Sequence, residues 1–152
     1  MKIEKVTIKQ IESHLRKSAN FLRDKIDAGD YKTYIFPLMF LKRLSDVYDE
    51  EYQKALDESD NDVEYAGSEV NHRFQIPDDC HWNDLRNTSK NVGQKIQDIM
   101  RQIEKVNSDR LFGIFGDANW SNKERLSDET LINLIEHFSS LQKILSLVKL
   151  FL

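Results

Sequence analysis

The sequence predicts a mainly α protein, an irregular, orthogonal bundle of about five helices with at most a short β element near residues 73-76. Three observations carry this. Two prolines and five glycines in 152 residues are too few for a turn-rich β fold. Apolar residues recur three and four apart in several long stretches, the period of one face of a helix. At 39% apolar and 32% charged, the chain can bury a core beneath a highly charged surface. The length suits a single domain.

Residues 7 to 26 read as the first helix. Thr7 suits its N-cap, and Ile8, Ile11, Leu15, Leu22 and Ile26 share one face, with Ala19 beside it. Asp27-Ala28-Gly29-Asp30 is a stop and a restart, with Gly29 suited to a left-handed C-cap and Asp30 to the next N-cap. So short a loop makes the first two helices antiparallel neighbours.

The second helix is expected from Tyr31 to about Leu56, and the chain is organised around it. From Tyr34 to Leu41 every side chain is apolar or aromatic, which places this half inside the protein. The run is far short of the roughly 20 apolar residues that span a bilayer. Beyond it Phe40, Leu44, Val47, Tyr48 and Tyr52 keep a one-sided pattern, so Lys42 onward is expected to face outward. Pro37 is the local conflict: inside a helix it removes the bond to the Thr33 carbonyl at ~3 kcal/mol or more, so a kink or an irregular first turn is expected.

Residues 57 to 72 are polar and acidic and read as a mobile loop. Arg73-Phe74-Gln75-Ile76-Pro77 alternates and stops at proline, the source of the short β expectation. A helical turn after Asp79 offers Trp82 and Leu85 to the core. Residues 90 to 107 form another amphipathic helix through Val92, Ile96, Ile99, Met100, Ile103 and Val106. In Leu111-Phe112-Gly113-Ile114-Phe115-Gly116 both phenylalanines are expected as a buried wedge. Ser127 starts the last helix, whose Leu131, Leu134, Phe138, Leu141, Leu145, Val148 and Leu152 form a seam of about three heptads.

The net charge of −4 is unevenly spread. Residues 1–43 hold 10 Lys/Arg against 5 Asp/Glu, residues 44–79 hold 2 against 12, and residues 80–152 hold 10 against 9. DNA binders are usually basic overall, so any DNA contact belongs to the first part and is weak alone. One cysteine, Cys80, excludes an internal disulfide and suits a reducing cytoplasm. The N-terminus has no signal-peptide pattern, and no membrane association is expected.

Chemistry is sparse. His14, His72, His81 and His137 are not spaced as metal ligands, and no C-x-x-C, H-E-x-x-H, G-x-S-x-G or phosphate-binding glycine loop occurs. No catalytic, cofactor-binding or metal residue is therefore expected. For DNA phosphates the candidates are Lys32, Lys42 and Arg43 on the second helix, with Arg16, Lys17, Arg23 and Lys25 on the first. The alternative is that these are solvated faces or partners of the acidic segment.

Several blocks, in order, carry a family resemblance: Asp27-Ala28-Gly29-Asp30-Tyr31-Lys32, Phe40-Leu41-Lys42-Arg43-Leu44-Ser45-Asp46, Phe74-Gln75-Ile76-Pro77 followed by Trp82, Leu111-Phe112-Gly113-Ile114-Phe115, and Leu126-Ser127-Asp128 with Leu131 to Ser139. Over about residues 14 to 140 the chain resembles the N-terminal helical domain of the modification (M) subunit of type I restriction–modification systems, which are N6-adenine DNA methyltransferases. In that family a second, α/β domain binds S-adenosylmethionine and flips adenine into an Asn-Pro-Pro-Phe-type site. Neither motif occurs here, so the resemblance implies a domain that transfers no methyl group alone. It also implies partners: DNA, a specificity subunit, a restriction subunit and a second M subunit.

The resemblance gives 1-140 as the helical domain and leaves 141-152 as a divergent apolar tail. The tail reads either as the product of truncation or frameshift, or as a helix packing on the core or on a second copy. In the last case Phe138, Leu141, Leu145, Val148 and Leu152 would be a homodimer seam. The expected function is to help assemble the methyltransferase and clamp or position DNA. The alternative is a protein-interaction module without DNA contact, working through residues 44–64 and the seam.

Overall fold

The structure, a computed structural model, describes residues 8–140. Its elements are α1 (Ile8–Leu22), α2 (Tyr31–Glu58), α3 (Val63–Ala66), α4 (Trp82–Arg86), α5 (Val92–Val106), α6 (Ser108–Leu111) and α7 (Asp128–Ser139), with 3-10 turns at Ala28–Asp30 and Glu69–Asn71. No strand occurs among the described residues. The protein is mainly α, with α1, α2, α5 and α7 as its long helices. α7 packs against α1, α2, α4 and α5, and α2 also meets α1 and α3.

Between α1 and α2 the local chemistry differs from expectation. α1 stops at Leu22 rather than near Ile26. The left-handed residue that follows is Asp24 (φ 66°), not Gly29, which sits in the 3-10 turn. Aspartate tolerates this conformation better than most residues. Asp30 is the N-cap of α2 but its side chain caps nothing. Ile26 is buried all the same, so the expected apolar face survives the early end of the helix.

α2 runs through Pro37 for 28 residues. Pro37 is itself buried, and packing offsets the lost bond. The expected division of α2 is corrected in both halves. In the first, Tyr34, Ile35, Leu38 and Leu41 are buried, but Phe36 is 42% exposed. In the second, Leu41 to Val47 are all buried, Lys42 and Arg43 included. On the side of Lys42 and Ser45 the cover comes from α4, whose Trp82 backbone N–H donates to Ser45 Oγ at 3.0 Å and whose indole N–H donates to Ser139 Oγ at 2.9 Å. One tryptophan thus ties α2 to α7 and covers the side that was expected to face solvent.

The acidic segment is not a featureless loop. α2 extends to Glu58, Asp62 caps α3 by accepting the Tyr65 N–H at 3.1 Å, and Ala66 is fully buried. Phe74 and Ile76 are buried in an extended segment without a strand partner. Elsewhere Trp82, Leu85 and the α5 positions Val92 to Ile103 enter the core as expected, but Val106 is half exposed. Phe115 is fully buried while Phe112 is 85% exposed, so the wedge has one phenylalanine, not two. Trp120 is buried in the core against Tyr34, ring centroids 5.0 Å apart and edge to face. Ser127 caps α7, accepting the Thr130 N–H at 3.2 Å.

Candidate functional site

A basic line on α1 is the clearest candidate surface. A helix advances 100° per residue, so residues seven apart drift only about 20° around it. Lys9, Arg16 and, one residue past the helix end, Arg23 therefore share one face, with Lys17 to its side; all four are exposed. The opposite face carries buried Ser18 and Leu22 and half-buried Leu15, which hold α1 on the bundle. None of the ion pairs among the described residues engages Arg16, Lys17 or Lys32. Arg23 donates to Asn20 Oδ1 at 2.8 Å. Lys25 is exposed as well. Lys9 was not among the sequence candidates, although the seven-residue spacing to Arg16 was there to be read.

Lys32 stands apart from this line. Lys32, Phe36 and Phe40 are spaced four apart on α2 and form one wall of a groove, with Gly113, Ile114, Phe115, Gly116 and Asp117 opposite. The groove has a volume of about 290 Å³. Gly113 (φ 74°) and Gly116 (φ 68°) make the turns of the far wall, and Arg101 donates to the Gly116 carbonyl. Phe112, next in the chain to the groove-lining Gly113, projects into solvent.

Lys42 and Arg43 occupy a different environment from the other candidate cations. They are 4% and 6% exposed. Lys42 Nζ is paired with Asp46 one turn on and lies 5.8 Å from the Trp82 ring centroid. Arg43 reaches Glu50 at 3.5 Å, and its Nε has no hydrogen-bond partner. Burial holds the Asp46 carboxyl above its ordinary range, with Lys42 pulling the other way. Buried and engaged internally, these two cations are not presented to a phosphate backbone. Phe138, expected on a self-association seam, is fully buried in the core and unavailable to a partner. Leu141, Leu145, Val148 and Leu152 lie outside the described residues.

Among the described residues no group of three or more His, Cys, Asp or Glu is placed to hold a metal ion. Burial raises the Cys80 thiol above its ordinary range, which disfavours the nucleophilic thiolate. Burial, followed by His137 and Lys17, lowers His14, whose carbonyl oxygen lies 2.9 Å from His137 Nε2. At the surface, Arg86 of α4 grips Glu136 of α7 with two hydrogen bonds of 2.8 Å.

The family model described as the HsdM N-terminal domain matches residues 11–138. The chain belongs to this family. The match runs from the fourth residue of α1 to the last but one of α7, so the described bundle is this domain. The HsdM N-terminal domain is the non-catalytic part of its family. No curated protein matches the chain. No described helix is long and apolar enough to cross a membrane.

Proposed function

We propose that this HsdM N-terminal domain serves a type I restriction–modification N6-adenine methyltransferase, helping to assemble the enzyme and holding duplex DNA by its phosphates. The observation that carries this reading is the exposed line of Lys9, Arg16 and Arg23 with Lys17 beside it, in a chain whose family is a methyltransferase subunit. Flexible cations along one face neutralise phosphates without reading bases, the part expected of a positioning domain. Base recognition and methyl transfer fall to other parts of the complex. In this reading the groove beside Lys32 is assigned no S-adenosylmethionine; its two glycines follow α6 rather than a strand and do not open a helix N-terminus. The cofactor belongs, in this reading, to the catalytic domain of the intact enzyme, and the chain's expected place is the cytoplasm.

The test is duplex DNA binding followed by fluorescence anisotropy over a range of salt. Weak affinity falling linearly in log–log form supports phosphate contact, and affinity that does not fall with salt overturns it. Methyl transfer by this chain alone is expected to be absent; any turnover overturns the non-catalytic reading.

A second reading, an interaction module, is favoured by Phe112 and Phe36, which are 85% and 42% exposed at or beside the groove. Exposed aromatics clustered near a groove mark protein contact surfaces. Here the partner is another subunit of the complex: specificity, restriction or a second M subunit. Phe112→Ser then weakens co-purification with the specificity subunit and leaves the salt slope for DNA unchanged. Self-association through the tail is tested by light scattering of the eluting peak; a strict monomer at tens of micromolar ends that idea.

A further inference from the structure

A small lobe, α3 and the 3-10 turn after it, is seated on α2. The joint between lobe and helix is His72. Its side chain is wholly shielded from solvent, and its ring stacks on Tyr48 of α2 at 3.7 Å and 8°. Its Nε2 lies 2.7 Å from the Ala66 carbonyl oxygen. A carbonyl can only accept, so Nε2 carries the proton. Nδ1 is then a bare lone pair in the neutral ring. It is buried without a hydrogen-bond partner and lies 3.5 Å from Glu51 Oε1. The Glu51 carboxylate cannot easily turn away, because it also accepts the Arg73 N–H, at 3.1 Å through Oε2 and 3.4 Å through Oε1. A neutral His72 thus sets a lone pair against a carboxylate in a dry site. A proton on Nδ1 turns the same contact into an ion pair that can shorten to a charge-assisted hydrogen bond.

We infer that His72 is a proton-operated clasp: protonated, it fastens the lobe to α2 through Glu51, and neutral, it lets the lobe open. The groups around the ring come from α2, from the segment before α4 and from the lobe itself. From α2, Tyr48, Asp49 and Glu51 face the imidazole. Lys42, also on α2, acts on Asp49 but is held by Asp46. From the segment before α4, His81 meets the same Tyr48 ring edge-on at 4.9 Å, and Asp78 adds a carboxylate near Tyr48. Arg73 reaches Glu51 through its backbone N–H, and its guanidinium carbon lies 6.0 Å from the Phe74 ring centroid. On the lobe itself, Glu64 and Glu69 are exposed. Burial holds the Asp49 carboxyl above its ordinary range and His81 draws it down first, so His81 is the titratable neighbour that must be controlled. The opened lobe is the segment carrying exposed Val63, Tyr65 and Val70. The clasp therefore makes the placement of a partly apolar surface depend on proton concentration.

Hydrogen–deuterium exchange on the full chain tests this, with each amide corrected for its intrinsic pH dependence. The readout is protection at Ala66, Gly67 and His72, whose amides bond within the lobe, relative to α5. The ratio is expected to fall about tenfold from the acidic to the alkaline end, the size of one charge-assisted hydrogen bond. His72→Gln removes the dependence and His81→Gln keeps it. Glu51→Gln gives the opposite signature: its amide can donate to the bare Nδ1, so the lobe stays protected across the range. A flat wild-type ratio, or a slope surviving His72→Gln, overturns the clasp. If His72→Gln fails to fold, the Glu51→Gln profile and a nitrogen-15 NMR titration of His72 Nδ1 in the wild type decide. A ring that keeps one protonation state throughout, or a Glu51→Gln profile as pH-dependent as the wild type, rejects it.

Discussion

The side-chain amide of Asn107 pairs with the backbone of Gln75 in both directions. Its Oδ1 accepts the Gln75 N–H at 2.8 Å and its Nδ2 donates to the Gln75 carbonyl at 2.8 Å, while a second Nδ2 bond of 2.8 Å reaches the Ile103 carbonyl. One residue at the end of α5 thus does for the extended segment what a neighbouring strand would do. Asn107→Ala removes the partner of both part-buried Gln75 groups, and an unpaired buried group costs ~1–3 kcal/mol, so a loss of about 1–3 kcal/mol is expected in urea unfolding. Asn107→Asp is the sharper variant: it keeps the acceptor but sets a carboxylate against a carbonyl, so it should be no better than alanine at neutral pH.

Gly93 lies inside α5, where replacing glycine by alanine ordinarily stabilises a helix by ~1 kcal/mol. Here the sign reverses. A Cβ at this position would lie 1.9 Å from the Trp120 carbonyl oxygen and 2.7 Å from its carbon. These are backbone atoms and cannot swing aside. Gly93→Ala is expected to cost at least the ~1–3 kcal/mol of an overpacked core and to disturb the Trp120 environment, read by thermal unfolding and tryptophan fluorescence.

The pattern of helices was legible because each long amphipathic face is a local property of the sequence. Ser127, Trp82 and the α5 core positions could be read the same way. Lys42 and Arg43 could not. The cover over Lys42 comes from α4, about forty residues away, where Trp82 bonds to Ser45 and lies beside the ammonium, while Arg43 turns along its own helix to Glu50. Charge suggests an outward face, and only the tertiary contact reverses it. Phe112 and Phe115 show the converse: three residues apart in one apolar loop, they are separated by a left-handed Gly113 that sends one inward and one outward. The basic line on α1 was partly legible, with Arg16, Lys17 and Arg23 recognised and Lys9 missed. The β expectation arose from a real extended segment, but its partner is a side chain, which alternation of residue types does not reveal.

Asp128 caps α5 from the first turn of α7. Its carboxylate accepts the Val92 N–H at 3.0 Å and the Asn91 N–H at 3.1 Å. These bonds, the Val92 one first, hold its carboxyl below the ordinary range. A carboxyl whose folded value is depressed contributes stability above its unfolded value, near 3.9, and loses it as pH falls through the folded value. The gap in urea midpoint between wild type and Asp128→Asn should be widest above about pH 4 and close on acidification. A gap independent of pH would mean that the cap does not act through charge.

Lys42 and Asp46 form a buried pair in which the second carboxylate oxygen, Asp46 Oδ2, has no hydrogen-bond partner. Removing one member leaves a buried charge, so Lys42→Met is expected to cost about 3–5 kcal/mol. Lys42→Met with Asp46→Leu should recover most of it, since an apolar pair of similar size avoids desolvation. The acid side gives a second check. Burial raises Asp46, so the folded state holds this proton more tightly than the unfolded chain does, and stability is lost as pH rises from the unfolded value through the raised one. The Lys42→Met deficit should therefore shrink toward low pH, where Asp46 becomes neutral.

The same buried pair supplies the control for DNA binding. If phosphates lie along α1, each cation removed lowers the salt slope by about 0.9 for duplex DNA. Arg16→Gln with Arg23→Gln should then reduce the slope by nearly two and weaken binding alike on unrelated sequences, because phosphate contacts carry no base information. Lys9→Gln should act in the same way. The replacement of Lys42 and Asp46 together removes one cation and one anion from the interior, so it should leave the slope unchanged if the fold is kept. Should that variant lower the slope as much as the α1 variants do, α2 would carry the phosphate contact, Lys42 would have to leave Asp46 to make it, and the exposed line on α1 would be only a solvated face.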